Sequence, residues 1–204
     1  MSDTCHSPRP ADVATTTLTV ALAGNPNVGK SSLFNALTGA HQHVGNWPGK
    51  TVERLAGTCR LGPAPITVVD LPGTYSLAAS SPEEVVAEAA LASDEIDAVA
   101  VVLDSTNLER TLYLAAQLAE LGRPLVLVLN MTDRAQAEGL DVDADRLAAA
   151  VGAPVVRTVA RTGAGIPELV EAFGAFAPRE ADRAPGAPTR EADRAPGAPT
   201  READ

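Results

Sequence analysis

Residues 18–39 read LTVALAGNPNVGKSSLFNALTG. Leu18 to Ala23, apolar but for Thr19, reads as a first strand. Ser31 to Thr38 sets Leu33, Phe34 and Leu37 on one helical face and stops at Gly39, a natural helix C-cap. Between strand and helix stands Gly24-Asn25-Pro26-Asn27-Val28-Gly29-Lys30-Ser31, a full match to GxxxxGK[ST] in the strand–loop–helix setting that pattern needs. Such a loop aims backbone amides and a helix N-terminus at phosphate oxygens, and its glycines let the chain approach with no Cβ in the way. Lys30 then reaches the β and γ phosphates, Ser31 holds magnesium, and Ser32 lies in the same first turn. Of the sixteen basic residues only Lys30 and Lys50 are lysines, so a lysine here favours a compact point charge over a guanidinium. Two fixed glycines with Lys and Ser seldom coincide by chance.

Outward from this stretch, apolar runs alternate with helical patterns, the signature of an α/β chain. Cys59 to Leu61 and Ile66 to Asp70 read as a hairpin across Gly62-Pro63. Ala98 to Asp104, Leu125 to Asn130 and Val155 to Thr158 read as further strands, the first two continuous enough for a parallel sheet covered on both faces. Pro82 to Ala92, Leu108 to Leu121, Asp143 to Val151 and Ile166 to Phe176 read as helices. The expectation is a three-layer sandwich of about six mostly parallel strands with helices on both faces. The 204 residues, 45% hydrophobic, suffice for one such domain, placed at 17–177. Residues 1–16 lack the apolar core of a signal peptide and read as a disordered leader. READRAPGAPT occurs at 179–189 and 190–200 and begins again at 201; its prolines break any helix, so 178–204 reads as a disordered tail. The interrupted third copy suggests a chain cut from a longer one.

Net charge is −10, the wrong sign for nucleic acid or anionic lipid, and aromatics are only 3% of the chain. Cys5 and Cys59 belong to no CxxC pair, and no run of about 18 apolar residues occurs, which fits a reduced, cytoplasmic protein. His41 and His43, two apart, suit solvent better than a metal. Trp47 reads as a mobile, partly exposed ring.

Two more clusters fall at strand ends. Asp70-Leu71-Pro72-Gly73 places a carboxylate where it can hold a water on magnesium and a glycine amide where it can meet a γ-phosphate. Asn130-Met131-Thr132-Asp133 places a carboxylate that can accept both the N1 and the exocyclic amino protons of guanine, a pair adenine does not offer, so GTP is favoured over ATP. After the last strand, Val159-Ala160-Arg161 follows Thr158, with the Ala160 amide a candidate contact to the guanine oxygen.

Taken together, GNPNVGKSSLFNALTG at 24–39, VGNWPGKTVE at 44–53, DLPGTYSL at 70–77 and NMTD at 130–133 resemble the G domain of the FeoB family of bacterial ferrous iron transporters. The resemblance implies a P-loop GTPase fold and a magnesium-dependent GTP switch serving iron(II) uptake through a membrane permease, placed at the inner face of the cell membrane. It implies that Thr51, in a first switch that includes Gly49, Lys50, Val52 and Glu53, joins Ser31 on magnesium in the GTP state. It also implies that Asn27, with carbonyls from Gly45 to Trp47, holds a potassium ion that stands in for an arginine finger. Lys30, Thr51, Gly73 and Asn27 are then the catalytic set. Thr74 follows Gly73 where Ras-like proteins carry a glutamine, which implies slow turnover, on the order of 10⁻³ s⁻¹. Lys50 replaces the family's usual small apolar residue, and Val159 stands where many relatives have Ser or Thr. The family's helical and membrane domains have no counterpart after Phe176. The competing expectations are a nucleotide-sensing module acting on a separate membrane partner and a ribosome or tRNA assembly GTPase, the latter disfavoured by the acidic charge.

Overall fold

The computed structural model describes residues 17–39, 41–47, 51–61, 64–78 and 81–176. The proposed leader and repeat tail lie outside the described residues, as do Gly49, Lys50 and the Gly62-Pro63 turn.

Seven strands form one sheet in the order β2-β3-β4-β1-β5-β6-β7. They are β1 (Leu18–Gly24), β2 (Gln42–Asn46), β3 (Glu53–Leu61), β4 (Ala64–Asp70), β5 (Ala98–Asp104), β6 (Leu125–Asn130) and β7 (Val155–Arg157). Helices are α1 (Lys30–Thr38), α2 (Pro82–Ala92), α3 (Leu108–Glu120), α4 (Thr132–Ala137), α5 (Ala144–Val151) and α6 (Ile166–Phe173). Strand β1 pairs in parallel with β4 and β5, the parallel ladder continues through β6 to β7, and β3 runs antiparallel to both β2 and β4.

Alternation along the central strands divides the core in two. Ala21, Val69, Val99, Val101, Leu103, Leu127 and Leu129 meet α2 and α3 through Val86, Leu91, Leu114 and Leu118. Val20, Leu22, Val68, Ala100, Val102, Val126 and Val128 meet α1 and α6 through Leu33, Phe34, Leu37, Leu169 and Phe173. Both faces are therefore dry, which is why these strands read as unbroken apolar runs. The chain leaves β1 toward β4 on one side and β5 on the other, so the strand order reverses at β1, and the crevice at its carboxyl end is where open α/β sheets bind ligands.

The six expected strands become seven, and two helices differ. β2 carries only one apolar branched residue, Val44, which is 68% exposed, and it is held as an edge strand by backbone pairing to β3. β3 begins six residues before Cys59, because Glu53 to Thr58 take their conformation from two flanking partners rather than from any alternating pattern of their own. The short α4 went unpredicted, and α6 stops at Phe173 instead of Phe176. Helix α2 starts as its sequence suggests, with Pro82 in the first turn and the Ser81 hydroxyl accepting from the Glu84 amide at 3.1 Å.

Candidate nucleotide-binding site

The loop between β1 and α1 is shaped by two residues in the left-handed region, Asn27 at φ 67° and Gly29 at φ 85°. Asparagine tolerates that region; at Gly29 a side chain is also excluded sterically, since a Cβ would lie 2.3 Å from Asn130 Nδ2. Helix α1 opens at Lys30 with no side-chain cap and no acidic residue in its first turn, so its amides and positive dipole end are uncovered. Asn27, Gly29, Lys30, Ser31 and Ser32 line a cleft of about 450 Å³ with Gly73 on its far side. Ser31, Ser32, Pro26 and Asn27 are exposed to it, while Gly24, Asn25 and Val28 are buried beneath.

Lys30 is only 10% exposed; its Nζ donates to Asp70 Oδ1 at 2.7 Å and to the Leu71 carbonyl at 2.5 Å. Burial pushes the Asp70 carboxyl above the ordinary carboxylate range, and the Lys30 ammonium pulls it back. Both sequence-predicted charges thus stand at one end of the cleft, paired to each other. Leu71 is buried and its amide donates to Leu22, and Pro72 is half-buried. The Thr74 amide bonds the Gly24 carbonyl at 3.2 Å, which lays Gly73 across Pro26; a Cβ on Gly73 would come within 3.3 Å of the Pro26 backbone. Phosphate loop and DxxG segment are therefore packed together, the arrangement their spacing predicts.

The base end is organised by Asn130, 2% exposed at the tip of β6. Its Nδ2 donates to the Val28 carbonyl at 2.9 Å, and its Oδ1 accepts from the Ala160 amide at 3.0 Å and the Thr158 hydroxyl at 3.2 Å. One side chain ties three segments far apart in sequence. The Ala160 amide, expected to face a base, is spent on Asn130. Met131 adopts φ 59°, and Thr132 is anchored by its hydroxyl to the Thr158 carbonyl at 3.1 Å. Asp133 then stands beside a pocket of about 290 Å³ lined by Gly29, Asn130, Met131, Val159, Ala160 and Arg161. Its carboxylate is 39% exposed, with Arg161 Nη2 at 3.4 Å from Oδ2. Gly29 and Ser32 line both clefts, so the two pockets adjoin.

The segment 41–53 departs from expectation. Trp47 is buried at 7%, in the core against α2, rather than exposed. Its amide donates to the Val52 carbonyl at 3.0 Å, closing the end of the β2–β3 hairpin, and the Arg54 guanidinium lies 4.8 Å over the ring while bonding Glu95 at 3.4 Å. A large apolar ring next to a half-buried Val52 gains more from the core than from solvent. Thr51 and Glu53 are exposed at the start of β3. His41 and His43 are exposed too, and no group of three or more metal-ligating side chains occurs among the described residues.

Sequence reasoning placed helix α3 but gave its face at residues 110 and 117 no role. Asn25 Nδ2 donates to the Arg110 carbonyl at 3.3 Å, the Arg110 guanidinium lies 4.7 Å over the Tyr75 ring, and Gln117 Oε1 accepts from the Leu77 amide at 3.1 Å. Their spacing of seven along one helix face was the available signal. A separate cleft of about 510 Å³ lies behind the NMTD segment, lined by Ser105, Thr132, Gln136 and Arg157 among others.

A strand–loop–helix anion cradle, a DxxG turn laid against it and an NxxD base pocket, all at the carboxyl end of a mixed seven-stranded sheet, define a P-loop G domain. The comparisons agree: a family model described as "Ferrous iron transport protein B" matches residues 18–173, and the chain belongs to that family. The Fe(2+) transporter FeoB of Legionella pneumophila is 48% identical over 139 residues, 66% of this chain and 18% of its own length. That of Escherichia coli O157:H7 is 47% identical over 146 residues, 70% of this chain and 19% of its own. Among solved structures, the G domain of T. maritima FeoB superposes with a TM-score of 0.73 at 43% identity, covering 78% of this chain and 98% of that one. The cytosolic domain of T. maritima FeoB in its GMPPNP form gives 0.75 at 43% identity, covering 78% and 63%. The chain thus spans less than a fifth of the length of these curated relatives. No helix among the described residues is long and apolar enough to cross a membrane.

Proposed function

We propose that this chain binds GTP and hydrolyses it slowly to GDP and phosphate, as the nucleotide switch of a ferrous iron uptake system whose permease part is attached or separate. The observation that carries the reading is Asn130, which bonds the Val28 carbonyl and the Ala160 amide and so holds the phosphate loop beside the adjoining base pocket. The GMPPNP form of the T. maritima relative supports a guanine nucleotide as the occupant.

In this reading Lys30 exchanges its Asp70 and Leu71 partners for the β and γ phosphates, whose charge answers an ammonium now neutralised internally. Asp133 accepts the two guanine protons, and the Gly73 amide faces the γ-phosphate. The donor set fits magnesium: a hydroxyl exposed in the first turn of an uncapped helix, Ser31, and a carboxylate at the end of β4, Asp70, acting through water. When bound, magnesium neutralises phosphate charge; Thr51 joins Ser31 in the GTP state. Asn27, exposed and aimed into the same cleft, is the proposed side-chain ligand of potassium, with Gly45 to Trp47 supplying carbonyls. With Thr74 buried at 4%, nothing after Gly73 replaces a water-orienting glutamine, which agrees with slow turnover. Hydrolysis releases Thr51 and the segment after Asp70, and that change is the output read by the membrane part at the cytoplasmic face.

The test is GTP hydrolysis with magnesium in matched potassium and sodium buffers, beside ATP and an Asn27→Ala variant. Faster GTP turnover in potassium, lost in Asn27→Ala, is the expected result; equal turnover of ATP and GTP would overturn the base assignment, and equal rates in the two salts would remove potassium from the mechanism.

A further inference from the structure

We infer that Arg110 is a positioning residue for hydrolysis, acting through Tyr75 to fix the segment that carries Gly73. The inference rests on the GTPase reading above and names a part that neither the motifs nor the relatives' descriptions assign.

Helix α3 touches both halves of the phosphate site from one face. At residue 110 its backbone carbonyl takes the Asn25 amide group at 3.3 Å, while the side chain of the same residue lies over Tyr75, centroid distance 4.7 Å. Two turns on, Gln117 Oε1 holds the Leu77 amide at 3.1 Å, and Gln117 Nε2 makes a long 3.5 Å contact to Tyr113. The segment 73–77 is thus gripped at its first residues by Gly24, through the Thr74 amide at 3.2 Å, and beyond them by α3. Arg110, Tyr75, Asn107, Pro26 and Asn27 enclose a recess of about 110 Å³ immediately behind the phosphate loop. Asn25 is 3% exposed and its Oδ1 has no protein partner, so the side chain stands there to donate to Arg110 and not to satisfy both of its ends.

Tyr75 is 44% exposed and lies two residues past Gly73. An aromatic ring half in water is not fixed by burial, which leaves the guanidinium stack as its restraint, and a planar cation that keeps its hydration on one face suits that role. Releasing the ring frees Gly73 to move while the loop keeps its own contacts through Asn25 and Asn130. The consequence falls on the step in which the Gly73 amide must meet developing charge, not on ground-state nucleotide binding, so kcat drops and KM does not.

The experiment measures steady-state GTP hydrolysis in potassium buffer, and mant-GDP affinity, for the full chain and for Arg110→Gln, Arg110→Lys, Tyr75→Leu and the Arg110→Gln/Tyr75→Leu double variant. Glu109→Gln, one residue away and exposed, controls for a unit change of charge of the opposite sign on the same helix turn, and Arg110→Lys keeps the charge itself. Urea unfolding confirms that each variant is folded. An exposed cation–ring contact predicts a kcat loss of about two- to five-fold in Arg110→Gln and in Tyr75→Leu, with KM and mant-GDP affinity unchanged. The double variant should be no slower than the slower single, and Arg110→Lys should recover at least half of the loss. Losses that multiply, a rise in KM at constant kcat, or wild-type kcat in Arg110→Gln would each overturn the positioning role while leaving the GTPase reading intact. A parent chain that binds mant-GDP but turns over no GTP would instead refute the hydrolytic reading, and the positioning role with it.

Discussion

Replacing Asn130 with alanine should loosen the nucleotide site and the fold together. The side chain is 2% exposed and removal leaves the Val28 carbonyl, the Ala160 amide and the Thr158 hydroxyl without their partner. A buried polar group left unsatisfied costs about 1–3 kcal/mol. Thr158 keeps a second, 3.5 Å contact to the Leu129 carbonyl, and the small cavity admits a water that can serve one of the other two groups. That leaves an expected loss of about 2–4 kcal/mol in unfolding free energy, roughly 4–16 °C in Tm for a domain of this size. Because Asn130 also holds the loop at Val28, mant-GDP affinity should fall by about tenfold or more, roughly 1.4 kcal/mol or above. Asn130→Asp separates geometry from chemistry: a carboxylate still accepts from Ala160 but cannot donate to Val28, and it faces that carbonyl with a charge. It should therefore be no better than alanine. Urea unfolding and mant-GDP titration on the same preparations test this; a loss below about 1 kcal/mol with unchanged GDP affinity would refute the argument that one side chain couples the two pockets.

Gly29→Ala meets both a φ of 85° and a Cβ 2.3 Å from Asn130 Nδ2, so it should abolish measurable mant-GDP binding; retained affinity would mean that Asn130 can yield without cost. Asp70 carries a pH signature. Burial raises its carboxyl, a raised carboxyl favours the fold while protonated, and its contribution is lost as pH climbs through the folded-state pKa. In ligand-free protein Asp70→Asn should flatten the decline in unfolding free energy as pH rises above about 4, and a steeper decline than the parent's would contradict the assignment. Trp47, the chain's one tryptophan, should emit like a buried indole and resist acrylamide, and Arg54→Ala should raise its quenching; quenching as efficient as in free tryptophan would refute its core position.

What was readable from sequence follows from what the residues need. Two-sided burial demands continuous apolar strands, so β1, β5 and β6 announce themselves, and an anion cradle demands glycines at fixed spacing, so residues 24–31 do as well. β2 demands nothing of its side chains: Gln42 to Asn46 are almost wholly outside the core and owe their conformation to backbone pairing with β3. Trp47 was misjudged because nothing in the exposed residues that precede it in sequence marks it as core; its burial comes from the cluster it shares with residues of α2 and the central strands, with half-buried Val52 packed against that cluster. The i, i+7 spacing of 110 and 117 marked one face of α3 but not what it meets, since its partners are a loop asparagine 85 positions earlier and a turn 40 positions earlier.

On the GTPase reading proposed here, these long-range contacts give the switch parts that can move separately. Asn130 binds the base pocket to the phosphate loop by buried bonds inside a rigid sheet, where opening costs a large fraction of the domain's stability. The segment after Gly73 is held by an exposed ring contact and single amide bonds, whereas the β2–β3 hairpin is held by its backbone ladder and by a buried indole beneath a half-buried guanidinium. The first connection is strong enough to keep nucleotide specificity constant through a cycle. The second is weak enough for a γ-phosphate to outbid, since a ligand shifts a conformation only by its differential affinity for the two states, and contacts worth about 1 kcal/mol yield to one charge-assisted hydrogen bond. Stability is thus graded away from β1, and the graded part is the part that can signal.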